Sequence, residues 1–216
     1  MKALWSSREE AESVEEIAPG EDQEPQRQVH SAPGFGVAIG SLDTGSRCKV
    51  LDLGSAFPEN VEFLADFASY VQIIDWCGGG SSNHEIEASG FERLNTVQTL
   101  LAEHRKSFGL VLLWDLLNYL PNDRARRTIR SIAELCLPGA RIHAIVYAAE
   151  TMPELPNRYR VVAADKLAYE PQTWELRGAP RLPPAAVEKL LEGFEVEHSF
   201  VLQHGVHEFV AIRQRW

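Results

Sequence analysis

The chain has 216 residues, of which 44% are hydrophobic and 24% charged, and its formal net charge is −10. This length is enough for one substantial domain and short for two, and the composition is ordinary for a soluble globular protein. No apolar run reaches the ~18 residues that a membrane-spanning helix needs. An acidic chain also repels the phosphate backbone of nucleic acids. We therefore expect neither a membrane nor a nucleic-acid partner.

The amino-terminal segment 1–32 is acidic, since its first 30 residues carry eight acidic and three basic side chains. Because it is poor in large apolar residues and lacks the apolar core of a signal peptide, we expect a disordered tail rather than a secretory signal, followed by one domain over 33–216. The cysteines Cys48, Cys77 and Cys136 lie far apart and form no C-x-x-C pair. This usage favours a reduced, cytoplasmic compartment with small buried thiols.

The first elements along the chain read as strand, helix and strand. The stretch SAPGFGVAIG (31–40) follows no strand, so we interpret it as a loop that leads into the domain. A strand is predicted over 48–54, and Pro58 suits the first turn of the next helix. A second strand is predicted over 71–76. The glycine-rich CGGGSSN (77–83) lacks the Lys-Ser/Thr ending of a P-loop, and we interpret it as a mobile loop.

The alternation continues with a helix near 92–105 and a fully apolar strand over 109–115. A helix over 122–136 and a strand over 140–147 follow. Strands that alternate with helices in this way predict an α/β fold with a mainly parallel sheet, covered by helices on both faces.

Residues 148–183 break this rhythm and are rich in proline and arginine. Because specificity usually resides in loops above a sheet, we expect this insertion to be a substrate cover. Two strand-like runs then follow, joined by a short connection at His204-Gly205. A connection this tight makes its strands antiparallel neighbours. We therefore expect 194–202 and 206–213 to form an antiparallel hairpin at the end of the sheet.

The predicted strands end in residues that suit a nucleoside cofactor, at the edge where open α/β sheets bind ligands. These ends are Asp52-Leu53-Gly54, Asp75-Trp76 and Trp114-Asp115. An acid at the end of the second strand can accept hydrogen bonds from a ribose diol, which serves NAD and S-adenosylmethionine equally. A pyrophosphate, however, needs several glycines at a helix N-terminus, and the loop after Gly54 offers none. S-adenosylmethionine has no phosphate, so the loop disfavours a nicotinamide oxidoreductase.

Five segments in order carry a resemblance to a known family. They are VLDLG, IIDW, LVLLWDLLNYLP, LCLPGARIHAIV and LPPAAVEKLLEGFEVE…HEFVAIR, within residues 47–216. Together they resemble the motifs of class I S-adenosylmethionine-dependent methyltransferases. The resemblance implies a Rossmann-like open sheet of seven strands with the last antiparallel, and transfer of a methyl group to a small-molecule or protein acceptor. Only Gly54 matches the family's G-x-G-x-G loop, so a non-catalytic methyltransferase-like binding or scaffold domain stays open as the alternative.

The resemblance implies cofactor contacts at Asp52 and Gly54, at Asp75, and around Trp114-Asp115. We add Ser55, which with the amides opening the next helix could hold the methionine carboxylate. Trp76 either stacks on the adenine or packs in the core.

The remaining candidates lie after the apolar strand. Asn118 and Tyr119 are candidate substrate contacts, and Asp115 or Tyr119 is the candidate base if the acceptor must lose a proton. We expect Phe57, in the degenerate loop, to turn outward and cover the cofactor rather than fill its pocket. No metal site is expected, because His204 and His207 straddle a turn and have no third ligand.

Overall fold

A computed structural model describes residues 27–40, 42, 48–76, 99, 104–203 and 205–214. The strands are β1 (Gln28–Ser31), β2 (Cys48–Asp52), β3 (Ala68–Ile73), β4 (Phe108–Trp114), β5 (Cys136–Tyr147), β6 (Thr151–Pro153), β7 (Arg158–Ala163), β8 (Lys166–Glu170), β9 (Leu176–Gly178), β10 (Phe194–Val201) and β11 (Val206–Arg213). The helices are α1 (Pro33–Gly40), α2 (Pro58–Ala65), α3 (Asn122–Leu135) and α4 (Pro184–Leu190), and a 3-10 turn covers Leu116–Asn118. Within these ranges, no helix is both long and apolar enough to cross a bilayer.

The central sheet, as far as the described residues build it, has six strands in the order β10-β11-β5-β4-β2-β3. Strands β3, β2, β4 and β5 are parallel, and β11 is antiparallel to both β5 and β10. The expected antiparallel hairpin at the end of the sheet is therefore confirmed, with β10 at the edge. The loop predicted over 77–83 and most of the helix predicted over 92–105 lie outside the described residues, which do not contain a seventh strand of this sheet.

Strand β4 is apolar throughout because both faces of the sheet are covered. Leu110 and Leu112 pack on one face with residues of α1 and α2. Val111 and Leu113 pack on the other face with residues of α3 and α4. This alternation follows from the two-residue period of a strand.

The insertion 148–183 is a small antiparallel layer rather than a loop. Strands β7 and β8 pair with each other, β8 also pairs with β1, and β6 pairs with β9. Tyr159 and Leu167 of this layer pack against the face that α1 and α2 cover. A three-stranded sheet thus shares that face of the central sheet with two helices.

Three expectations about local structure are wrong. Most of the stretch 31–40 forms helix α1 (Pro33–Gly40) rather than a loop, because Phe35 and Ile39 bury their side chains in the core and outweigh the glycines. The tail does not extend to residue 32, because residues 28–31 pair with β8, a distant partner that no local pattern reveals. The second strand spans 68–73 rather than 71–76.

A buried carboxylate fixes α1 to the sheet. Glu208 of β11 accepts a hydrogen bond of 2.7 Å from the Gly34 amide and lies 3.0 Å from His143 Nε2, and Glu208 and His143 are fully buried. A Cβ atom at Gly34 would lie 2.7 Å from the Glu208 Cβ, so the close approach requires glycine. His143 is thus a hydrogen-bonded core residue.

We expect Glu208→Ala to lower the free energy of unfolding by about 3–5 kcal/mol, because it leaves the Gly34 amide and the His143 ring buried without a partner. Glu208→Gln should cost less, since an amide can still bond to both groups. Glu197→Ala is the control, because it breaks a peripheral ion pair with Arg141 and should cost about 1 kcal/mol or less. Urea unfolding measures all three variants, and equal losses for the two alanine variants would contradict the role given to Glu208.

Candidate functional site

The carboxyl ends of β2 and β3 meet at one edge of the central sheet. The amides of Ile74 and Trp76 donate to the carbonyl oxygens of Asp52 and Leu53 at 2.8 and 3.3 Å, so the pairing continues beyond β3. Asp75, between those two amides, therefore lies beside the turn that follows β2. Its side chain is half-buried, as a ligand-binding carboxylate at a cleft rim would be.

Asp52 is fully buried at this edge, and its Oδ1 has two donors while its Oδ2 has no hydrogen-bond partner within the described residues. Its Oδ1 accepts hydrogen bonds from the Gly54 amide at 2.8 Å and from Trp114 Nε1 at 2.6 Å. Burial raises the pKa of Asp52 to about 6, the bonds from Trp114 and Gly54 oppose that rise, and the charge of Asp75 adds to it. Asp52 therefore closes the turn after β2 and binds the end of β4.

Trp114 occupies the space in front of Gly54. A Cβ atom at Gly54 would lie 2.6 Å from the indole Cδ1 and closer still to Nε1. The indole stacks on the Tyr159 ring at 5.1 Å with an interplanar angle of 7°, and the residue is 3% exposed. The residue predicted to line a cofactor pocket thus fills the space over the one glycine that matches the family's loop.

Asp115 is buried beneath the insertion. Its Oδ2 accepts a hydrogen bond of 3.1 Å from the Asn157 amide, and its Oδ1 has no hydrogen-bond partner within the described part of the chain. Burial raises the pKa of Asp115 to about 7, against the opposing effects of the Asn157 amide and the Tyr159 hydroxyl. The carboxyl group therefore exchanges its proton near neutral pH.

Asn118 and Tyr119 do not face a cleft, which corrects their prediction as substrate contacts. The side-chain Nδ2 of Asn118 donates hydrogen bonds to the carbonyl oxygens of Asp115 and Ile145. Its Oδ1 accepts a hydrogen bond from the Tyr147 backbone amide. The Tyr119 hydroxyl lies 3.0 and 3.1 Å from two carbonyl oxygens of the insertion, and the residue is 1% exposed. Tyr119 is therefore an anchor of the insertion and has no access to act as a base.

The other predicted contacts separate into core and rim. Trp76 is fully buried in the cluster on the α3 side, which agrees with core packing rather than stacking on adenine. Ser55 is half-buried beside Gly54. Phe57 is half-buried, and the Arg160 guanidinium lies 3.8 Å above its ring, so Phe57 packs towards the insertion.

Sequence reasoning missed the residues that hold the insertion on the sheet. The side-chain Nδ2 of Asn60 donates a hydrogen bond to the Tyr159 carbonyl oxygen, and its Oδ1 accepts one from the Val161 backbone amide, both at 2.8 Å. Asn60 therefore acts as a strand-like partner for β7. The signal in the sequence was weak: one polar residue on a helix, and tyrosines in a proline-rich insertion.

Comparison with known proteins identifies the fold. No protein-family model and no curated protein sequence matches the chain. An S-adenosylmethionine-dependent methyltransferase from Mesorhizobium loti is similar in structure, with a TM-score of 0.51 and 14% identity over 84% of this chain and 98% of that chain. The N-methyltransferase NodS from Bradyrhizobium japonicum, solved with S-adenosyl-L-homocysteine, has a TM-score of 0.50 and 12% identity over 85% of each chain. The protein has the fold of class I S-adenosylmethionine-dependent methyltransferases.

We expect Asp115→Asn to change how stability depends on pH. The pKa of Asp115 is about 7 in the folded protein and ~3.9 in an unfolded chain, so the folded state holds an extra proton between these values. Stability from this group is therefore present at low pH and lost as the pH rises through 7. Asparagine does not titrate, and its side-chain oxygen can still accept the hydrogen bond from the Asn157 amide.

We therefore expect the difference in melting temperature, Asp115→Asn minus wild type, to increase from pH 5 to pH 8. Circular dichroism measures both melting temperatures at each pH. Asp123→Asn is the control, because Asp123 is an exposed aspartate at the start of α3. Its melting curve should follow that of wild type at every pH. Parallel pH dependence of wild type and Asp115→Asn would show that Asp115 is ionised throughout this range.

Proposed function

We propose that the protein binds S-adenosylmethionine at the carboxyl edge of the central sheet and transfers its methyl group to a small-molecule acceptor. The observation that carries this proposal is the position of Asp75 beside the Gly54 turn, on adjacent parallel strands of a methyltransferase fold. A half-buried carboxylate there suits the hydroxyl groups of a ribose. The NodS neighbour, solved with S-adenosyl-L-homocysteine, supports the same cofactor class.

The described residues fit S-adenosylmethionine in outline. Asp75 would accept the ribose hydroxyls. Ser55 and the Glu59 amide in the first turn of α2 would donate to the carboxylate of the methionine part, since Pro58 has no N–H and the Asn60 amide already donates to the Phe57 carbonyl oxygen. When bound, the cofactor supplies a methyl group activated by a sulfonium. The protein's own part is to hold the two reactants in line and to exclude water.

Trp114 must move before this site can fill. Its indole lies where the methionine part would pass over Gly54, and Nε1 is bound to Asp52. The φ of Trp114 is 52°, a left-handed conformation that costs a bulky residue roughly 1–2 kcal/mol. This energy is recovered only if the backbone of Trp114 also changes when the indole leaves. In that case it offsets part of the free energy lost with the hydrogen bond to Asp52 and favours a movable indole.

Space for an acceptor lies at the end of β5, which β4 separates from β2 in the sheet. A cleft of about 750 Å³ lies beyond the carboxyl end of β5, between residues 147–150 and 179–184, with His207 in its lining. This volume is within the range of small-molecule sites. The cleft supports a small-molecule acceptor rather than an exposed group of a protein.

A non-catalytic methyltransferase-like domain is the second candidate, and the same tryptophan favours it. The indole is held by the Asp52 carboxylate and by the Tyr159 ring, and it is almost fully buried. If those contacts are worth more free energy than cofactor binding provides, the indole stays in place. The chain then keeps the methyltransferase fold but does not bind the cofactor.

Calorimetric titration with S-adenosylmethionine and S-adenosylhomocysteine, with NAD as the negative control, separates the two candidates. We expect wild type to bind both adenosyl ligands. Asp75→Ala should weaken binding by about tenfold to a hundredfold, the effect of losing hydrogen bonds to a charged group. Asp66→Ala is the matched control, because Asp66 is an exposed aspartate at the end of α2 and its loss should leave affinity unchanged.

Two variants of Trp114 show whether the indole opens. Trp114→Phe keeps a ring to stack on Tyr159 but loses the bond to Asp52, so it should bind S-adenosylmethionine more tightly than wild type. Trp114→Ala, checked for folding by near-ultraviolet circular dichroism, should bind at least as tightly. Binding by these variants but not by wild type would establish the non-catalytic candidate, and no binding by any of them would refute the cofactor assignment.

A further inference from the structure

A second, smaller pocket is lined by Tyr169, whose ring meets the ring of Tyr159 edge-on at 4.9 Å. Its volume is about 170 Å³, and its lining includes the rings of His30, Tyr147 and Tyr169 and the side chain of Asn157. These residues come from β1, β5, β8 and the segment before β7. The pocket therefore exists only because the insertion and β1 are docked on the central sheet. A space of this size holds about five or six waters, or one small organic group.

The pocket contains a buried acceptor without a partner. Asn157 is 7% exposed, its Nδ2 donates to the Tyr147 hydroxyl at 2.6 Å, and its amide donates to Asp115. The remaining oxygen, Oδ1, has no hydrogen-bond partner among the residues that the structure describes. Buried polar atoms are nearly always hydrogen-bonded, and an unpaired one costs about 1–3 kcal/mol. The site therefore calls for a ligand that donates hydrogen bonds.

The surroundings of the pocket are electronegative. Burial raises the pKa of Tyr169, and the charges of Glu208 and then Asp115 raise it further. Burial, followed by the charge of Asp115, likewise raises the pKa of Tyr147. Asp115 thus lies close enough to act on both hydroxyls, and Glu208 on that of Tyr169. The pKa of His30 is lowered by burial, so its ring is uncharged at neutral pH and does not oppose a cation.

We propose that this pocket binds a primary or secondary ammonium group, either a small amine or the amine end of a larger ligand. The N–H groups donate to Asn157 Oδ1, and the aromatic rings surround the alkyl part and attract its positive charge. A neutral alcohol also donates to Asn157, but it gains nothing from the buried carboxylates. A quaternary ammonium has the charge but no N–H donor. Binding requires no S-adenosylmethionine, so this site is independent of the methyl-transfer proposal.

Ligand-observed saturation-transfer NMR on the full chain tests the proposal, in the absence of any adenosyl cofactor. The probes are propylammonium, 1-propanol of the same length, and tetramethylammonium. We expect propylammonium to bind about tenfold or more tightly than 1-propanol, the contribution of a charge near aromatic rings and a carboxylate. Tetramethylammonium should also bind more weakly than propylammonium. Equal binding of propylammonium and 1-propanol, or no saturable signal, overturns the assignment.

Three variants distinguish recognition from folding. At pH 8, where Asp115 is mostly ionised, Asp115→Asn removes a charge at constant shape and should weaken propylammonium binding by about fivefold or more. Asn157→Asp adds a carboxylate to the pocket, so at pH 8 it should tighten binding, an effect that a structural role of Asn157 would not produce. Glu197→Gln is the control and should bind as wild type does, since Glu197 pairs with Arg141 at a distant strand. Loss of binding in Asn157→Asp with an intact fold, or unchanged binding in Asp115→Asn, refutes the proposal.

Discussion

A buried carboxylate needs donors, and at Asp52 one of the two donors is the indole of Trp114. This hydrogen bond joins the ends of β2 and β4, and it holds the edge of the indole against Gly54. Because the indole also stacks on Tyr159, the same bond helps to fix where the insertion rests on the sheet. Access to Gly54 at the carboxyl edge, and with it the proposed cofactor binding, depends on whether that one contact is made or broken.

The closed arrangement has an electrostatic cost that depends on pH. Burial raises the pKa of Asp52 to about 6 and that of Asp115 to about 7. Both carboxyl groups lose water because the insertion covers the strand ends. Ionisation favours a hydrated carboxylate, so a rise in pH through this range favours states in which the insertion lifts from the edge. The hydrogen bonds from Asn60 to β7 act in the opposite direction at every pH, since neither partner titrates.

The sequence could predict what local periodicity determines and could not predict what distant contacts determine. The alternation of strands and helices and the tight connection near Gly205 were sufficient for the parallel sheet and its antiparallel end. Helix α1 was missed because the Gly34 amide is satisfied by Glu208, 174 positions along the chain. Trp114 was placed at the correct edge, but a strand position does not determine side-chain direction when the backbone is left-handed. Its partner Tyr159 lies in an insertion whose strands pair with β1, a segment that reads as tail.

A chain of aromatic rings connects the two proposed sites. Trp114 stacks on Tyr159, Tyr159 meets the edge of Tyr169 at 4.9 Å, and Tyr169 meets His30 at 4.8 Å in the lining of the small pocket. If Trp114 swings out to admit a cofactor, Tyr159 loses a stacking partner while Tyr169 still forms the pocket wall. A ligand that binds better to one position of Tyr159 must therefore shift the position of Trp114, and by linkage the cofactor must shift the affinity for that ligand by the same factor. If the cofactor binds where we propose, so that Trp114 closes its site, occupancy of the second pocket becomes a physical means of setting how often the first one opens.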